Sequence, residues 1–243
     1  MKLNEFFYTP ADPLMEGGNI FPDAEPFDHE RIPVIMKAVN NVLASVKARA
    51  IPIGSGATPT PGKISGDLDM IVDQDALSHA FNISDPKLIR KKLRAMFDET
   101  GLQTGQSGVC VHVRVPAGDH AHQVDIMVVP KGENAAKFHT HNIPPGSPYK
   151  GVNKQIALAV LAKKRGLLWS PYQGLFKRDE EGKKGAFATD DIDQIAEMLL
   201  GKGATGRDLG SVESILAALP PALAATLLDE LKADPAWPVK ESI

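Results

Sequence analysis

The sequence predicts an α+β fold: a mixed β-sheet with flanking helices, followed by a smaller, mostly helical subdomain. Three observations predict it. Apolar residues recur at helical spacing from His29 to Ala50 (Ile32, Ile35, Met36, Val39, Val42, Leu43, Val46) and a second helix reads from Pro86 to Thr100. Strand-like runs lie between and after these helices, at Ile51–Ile53, Asp67–Val72, Val109–Val115 and His122–Val129. Beyond Pro130 a Pro- and Gly-rich stretch, Asn142 to Pro148, opens a different, helix-rich region. The order helix, strand, strand, helix, strand, strand suits a mixed sheet with helices packed on one face.

Each element has a local reason. Asp85 or Ser84 serves as N-cap to the second helix, Pro86 sits in its first turn and Gly101 stops it. Pro116-Ala117-Gly118-Asp119 is a turn between two β-rich runs. Gly54, Gly56, Gly62 and Gly66, with Pro59 and Pro61, make the stretch before Asp67 a loop. In the second region helices are expected over 151–165, 190–200, 209–219 and 221–232, with a short strand or hairpin over Leu167–Arg178. The domain reading is an irregular N-terminal arm over 1–28 laid over the domain, a main domain over 29–140 and the helical subdomain over 141–243.

Composition sets bounds on function. With 43% hydrophobic and 23% charged residues in 243, the chain has the make-up of an ordinary globular protein with a real core. No apolar run approaches the roughly 20 residues of a membrane span. The first residues are too acidic and too poor in apolar residues for a signal peptide, so a cytoplasmic location is expected. The single cysteine, Cys110, excludes an intramolecular disulfide and a cysteine-rich zinc site, and its place among Val109 and Val111 predicts a buried structural thiol. Net charge is −3, which rules out coating nucleic acid by bulk electrostatics. Between Ser147 and Phe187, however, nine basic residues face three acidic ones, a local +6 that is either a solvated helix face or a phosphate-tracking surface.

Chemistry concentrates at Gly54-Ser55, then, after eleven residues, Asp67-Leu68-Asp69, and later Asp125 between Val124 and Ile126. Residues i and i+2 of a strand share a face, so Asp67 and Asp69 project together while Leu68, Met70 and Val72 turn to the core. Paired carboxylates repel and stay ionised most easily around a cation, and oxygen-only ligation suits Mg²⁺ or Mn²⁺. Asp125, flanked by apolar residues in another strand, needs a reason to be there. With it, the set supplies ligands for two ions, one to activate a hydroxyl and one to hold a triphosphate. Gly54 and Ser55 let backbone and hydroxyl approach a phosphate.

This pattern resembles the DNA polymerase beta nucleotidyltransferase superfamily, whose signature is a Gly-Ser turn, Asp-x-Asp and a distant third Asp. A second stretch, Gly146-Ser147, Asn153, Ala162-Lys163-Lys164-Arg165-Gly166-Leu167 and Tyr172-Gln173-Gly174-Leu175-Phe176, looks like the thumb side of family X DNA polymerases. The likeness spans roughly residues 50–200. It implies metal-dependent transfer from an NTP or dNTP to a nucleic-acid 3′-OH, DNA rather than RNA, with Asp67, Asp69 and Asp125 as catalytic metal ligands for two Mg²⁺ or Mn²⁺ ions. It also implies that Gly54, Ser55, Gly146 and Ser147 line the nucleotide pocket, that Asn153 faces the nascent base pair, and that Lys150, Lys154, Lys163, Lys164 and Arg165 follow a nucleic-acid backbone. Departures qualify the match. Lys63 stands in for the family's missing arginines, Ile143-Pro144 replaces an aromatic pair, and Ala157 occupies a position where a template-contacting Arg is common. The chain before residue 50 has no room for the lyase and helix-hairpin-helix modules of repair polymerases. Nucleotidyl transfer is therefore the firmer expectation, with transfer to a small-molecule or protein hydroxyl as alternative. The segment Glu16 to Phe21 looks like the start of phage-encoded nucleotidyltransferase-like proteins, which implies a host-cytoplasmic or virion setting and a possible assembly role.

Other residues are read as bystanders. His120/His122 and His139/His141 sit at loop edges and are expected to be solvated rather than zinc ligands. Asp73 and Asp75 are expected to be solvated, Trp169 and Trp237 to pack, and His112 and Arg114 either to border the site or to lie half-exposed on the sheet.

Overall fold

Residues 20–233 are described in the computed structural model. They divide into an N-terminal unit ending at Ala136 and a C-terminal unit beginning at Lys137.

In the N-terminal unit the strands are β1 (Phe27–Asp28), β2 (Ala50–Pro52), β3 (Ile64–Ser65), β4 (Asp67–Asp73), β5 (Gln103–Ser107), β6 (Cys110–Ala117) and β7 (His120–Val129). Its helices are α1 (Ile32–Ala44), α2 (Gln74–Phe81) and α3 (Pro86–Glu99), and α4 (Gly132–Phe138) follows β7. Five strands form one sheet in the order β2-β4-β7-β6-β5. Only β4 and β7 run parallel; the other neighbours are antiparallel, so the sheet is mixed as expected. Alternation assigns its faces. Leu68, Met70 and Val72, with Val111, Val113, Val115, Val124, Ile126 and Val128, bury against Ile35, Val39 and Leu43 of α1 and Ile89, Leu93 and Phe97 of α3. Fully burying such a side chain is worth about 1.5–3 kcal/mol, so the helices lock the register. A one-residue slip in β4 would exchange Leu68 for Asp69 at the core. Asp67, Asp69, Gln123, Asp125, His112 and Arg114 are thereby left together on the opposite face.

Several elements depart from expectation. The α2 helix and β5 carry no sequence signal, because α2 buries only Leu77 and β5 (Gln103-Thr104-Gly105-Gln106-Ser107) has no large apolar residue. The latter is an edge strand held by its backbone pairing to β6. Asp73 is not simply solvated: its Oδ1 accepts from Ala76 N at 2.9 Å as N-cap of α2, and its Oδ2 from Gly132 N at 2.7 Å. Residues 20–28, the described part of the expected arm, lie against the N-terminal unit. Phe21, Ala24 and Phe27 are buried, β1 pairs with β3, and Glu25 N donates to Ala121 O at 2.9 Å. The rest of the expected arm, and Trp237, lie outside the described residues.

The C-terminal unit holds α5 (Gly151–Lys164), β8 (Leu167–Ser170), β9 (Gly174–Arg178), β10 (Lys184–Thr189), α6 (Ile192–Leu200), α7 (Val212–Ala218) and α8 (Pro221–Ala233). The hairpin expected over 167–178 is extended by β10 into an antiparallel three-stranded sheet. At the centre runs α5, buried continuously from Asn153 to Ala159, with Ile156, Leu158 and Leu161 packed against Trp169, Leu175, Ile195, Leu199, Ile215, Leu227 and Leu231. Trp169 is a packing residue: it is 2% exposed, its Nε1 donates to Gln155 Oε1 at 2.9 Å, and its ring meets Phe138 edge-on.

Candidate metal and nucleotide site

Strand register places the three aspartates. In the parallel pair, Asp69 lies opposite Asp125 and Asp67 opposite Gln123. One carboxylate oxygen from each of Asp67, Asp69 and Asp125 lies within 4.8 Å of the others. Burial first, then the neighbouring Asp67 and Asp125 charges, push the Asp69 carboxyl up to about 7, and burial followed by Asp125 raises Asp67. Three converging carboxylates that oppose one another's ionisation fit a divalent cation with oxygen ligands, the hard-ion chemistry of Mg²⁺ or Mn²⁺.

Asp125 is held in place from two sides. Its Oδ1 lies 2.9 Å from His112 Nδ1 and accepts from Gln123 Nε2 at 3.0 Å. His112 Nε2 in turn lies 2.7 Å from Ser107 Oγ. His112 therefore borders the site, whereas Arg114 turns away to pair with Asp23. Cys110 is not a core thiol: it shares the aspartate face, with Sγ 3.7 Å from His112 Nδ1. Burial, then the Asp125, Asp69 and Asp67 charges, push that thiol well up, which disfavours a free thiolate nucleophile.

The Gly54–Ala57 turn packs beside Asp69. Gly54 has φ +57, and a Cβ there would sit 3.7 Å from Asp69 Oδ2, so glycine supplies the left-handed conformation at the edge of the site. Ser55 is exposed, and its Oγ lies 3.1 Å from Ser65 Oγ. The loop is organised by a residue that sequence reasoning missed, His29. Its backbone N donates to Lys63 O at 3.0 Å, its Nδ1 accepts from Thr60 N at 3.1 Å, and its Nε2 reaches Ser65 Oγ at 2.7 Å. Because the Thr60 amide must donate, Nδ1 is bare and the proton resides on Nε2. Burial and the Lys63 charge lower the His29 pKa, in keeping with that neutral form. Lys63 itself is exposed on this loop.

The remaining expected contacts belong to the C-terminal unit. Gly146 takes φ +78, and Ser147 Oγ accepts from Tyr149 N at 3.0 Å. Asn153 is fully buried, its Oδ1 accepting from the Lys150 amide at the start of α5. That helix-capping task, and not an amide offered to a base pair, is what its geometry serves. Lys154, expected along a nucleic-acid backbone, instead turns into the fold. It is 3% exposed, and its Nζ donates to Phe138 O at 2.8 Å and Thr140 O at 2.7 Å. Burial lowers it to about 8. Lys150, Lys163, Lys164 and Arg165 are exposed, Lys164 pairing with Glu230. Ala157 is fully buried, so an arginine has no room there.

The paired histidines are not solvated as expected, except His120, which meets Glu25 at 2.7 Å. His122 is buried, its Nδ1 2.8 Å from Glu25 O. Burial foremost, with the Lys154 charge, lowers His139 to about 4 and His141 to about 3, and His139 stacks on Tyr172. These rings belong to packing.

No protein-family model matches the chain, and no curated protein matches it in sequence. None of the described helices is long and apolar enough to cross a membrane.

Proposed function

We propose that the protein is a metal-dependent nucleotidyltransferase that moves a nucleotidyl group from an NTP or dNTP to a nucleic-acid 3′-OH. The observation that carries this reading is the convergence of Asp67, Asp69 and Asp125 within 4.8 Å on one face of a mixed sheet, beside the Gly54 turn. Asp67, Asp69 and Asp125 would hold two Mg²⁺ or Mn²⁺ ions, which supply charge neutralisation for the leaving pyrophosphate and acidify the attacking hydroxyl. Asp125, fixed by His112 and Gln123, orients the attacking hydroxyl and takes up its proton. The Gly54 backbone permits close approach of the triphosphate, and the Ser55 hydroxyl donates to it. The transferred group passes in line from pyrophosphate to the acceptor oxygen, so one P–O bond forms as one breaks.

Transfer to a small-molecule or protein hydroxyl is a second reading, and the burial of Asn153 and Lys154 favours it, since two expected contacts to nucleic acid are engaged inside the fold. Incubation with labelled nucleotides in Mg²⁺ or Mn²⁺, with and without primer-template, separates the two acceptors. Incorporation by wild type and its loss in Asp67→Asn and Asp125→Asn, by about 10³-fold or more, is the expected result. Undiminished incorporation by either variant refutes the assignment.

A further inference from the structure

We propose that Cys110, His112 and Asp125 form a binding site for a thiophilic divalent ion, Zn²⁺ by its ligand chemistry, and that its occupant competes with the three-aspartate site for Asp125. The site lies on one hairpin and its neighbouring strand. Cys110 and His112 are i and i+2 on β6, so both face the same side, and His112 stands directly opposite Asp125 on β7. One ligand atom from each of the three lies within 4.8 Å of the others. The Sγ to Nδ1 separation is 3.7 Å and the Nδ1 to Oδ1 separation 2.9 Å. Ordinary Zn–S and Zn–N bond lengths at a tetrahedral angle span about 3.5 Å between ligand atoms, and nitrogen with oxygen about 3.3 Å. The first distance matches already; the second opens by a few tenths of an ångström when an ion replaces the hydrogen bond.

The ring's far nitrogen is prepared for this. A metal-bound imidazole donates its other N–H to an acceptor, and Ser107 Oγ lies 2.7 Å from His112 Nε2. On binding, the imidazole proton shifts from Nδ1 to Nε2, where Ser107 accepts it, and the thiol proton leaves to solvent. A thiolate, an imidazole and a carboxylate leave one tetrahedral position open, and this mixed soft set selects Zn²⁺ over Mg²⁺. Drawing Asp125 toward Cys110 takes it from Asp67 and Asp69, so Zn²⁺ inhibits the proposed transfer; this consequence alone rests on the transferase reading.

Titration of the full chain with Co²⁺, a spectroscopic stand-in for Zn²⁺, tests binding without reference to activity. The expected result is one equivalent giving tetrahedral visible bands and a thiolate-to-cobalt band, both bleached by one equivalent of Zn²⁺. Cys110→Ser and His112→Ala should lose the thiolate band, Asp67→Asn should keep it, and Ser107→Ala should weaken affinity roughly 10–100-fold. Circular dichroism of each variant establishes that the fold is retained. Absence of the band in wild type, or its persistence in His112→Ala, overturns the site. In the incorporation assay, one equivalent of Zn²⁺ should suppress wild type and spare Cys110→Ser; equal inhibition of both overturns the competition. If no incorporation occurs at all, the transferase reading fails while the cobalt spectrum still decides the site.

Discussion

Replacing Asp69 by Asn should stabilise the metal-free N-terminal unit at neutral and alkaline pH. Burial and two facing carboxylates raise Asp69 from 3.8 to about 7. A group whose folded pKa is raised contributes stability that is fully present below its unfolded pKa and lost as pH rises through its folded pKa. Here the loss runs from about pH 4 to about pH 7, and at roughly 1.36 kcal/mol per unit it reaches about 4 kcal/mol. Relaxation among the three carboxylates trims this, so a gain of about 2–4 kcal/mol is expected for Asp69→Asn at pH 8 with EDTA present. The gain should shrink toward zero near pH 4. Buried histidines give a slope of opposite sign in the acid range, so the difference between wild type and variant is the quantity to measure, not either curve alone. Hydrogen-exchange mass spectrometry of peptides covering β4 and β7 reads the N-terminal unit directly. Protection in Asp69→Asn equal to or below wild type at pH 8 refutes the charge argument. Added Mg²⁺ should close the gap by protecting wild type more than the variant.

The C-terminal unit should be acid-labile. His139 and His141 are lowered to about 4 and about 3, so the stability they lend is present above pH 6.5 and drains as pH falls toward those values, about 3 kcal/mol for His139 alone. Urea titrations read by Trp169 fluorescence at pH 7 and 5 should show the midpoint dropping, and His139→Phe should flatten the dependence; unchanged midpoints would contradict it. His29→Ala leaves the Thr60 amide without its acceptor, at about 1–3 kcal/mol, and should expose the 57–63 loop to proteolysis, while an uncut loop would mean His29 does not hold it. At Gly174, φ is +86 and a Cβ would collide with the Thr189 carbonyl oxygen, so Gly174→Ala should cost about 1–3 kcal/mol of C-terminal-unit stability by urea titration.

The aspartate trio was legible because it needs only the period of a strand. Leu68, Met70 and Val72 are buried by the same alternation that turns Asp67 and Asp69 outward, and Val124 and Ile126 fix Asp125 likewise. Cross-strand register is a different matter. Nothing in the residues around Cys110 says that His112 will face Asp125, since that depends on the two-residue Gly118-Asp119 turn that sets Ala117 opposite His120. In α5 the difficulty is the helix itself. Polar residues are read as surface, but α5 is enclosed nearly all round, so Asn153 and Lys154 satisfy the backbone instead of meeting solvent. His139 and His141 misled for the same reason: short polar runs carry no period from which burial can be inferred.

The N-terminal unit is built with a contradiction that bears on its function. One face of its sheet is an apolar core of high order, and the other gathers three carboxylates whose mutual repulsion and burial work against folding. Fold alone does not require this, because asparagine at position 69 would fill the same space without charge. A destabilising cluster is stable in a working protein when something bound offsets it, and an oxygen-only set of this spacing suits a divalent cation. The reading as a metal-using enzyme and the predicted stability of Asp69→Asn thus stand on one physical fact. If Asp69→Asn is more stable without metal but no longer responds to Mg²⁺, the carboxylates are there for the ion; if Mg²⁺ leaves wild type unchanged, the metal-centred reading falls with it.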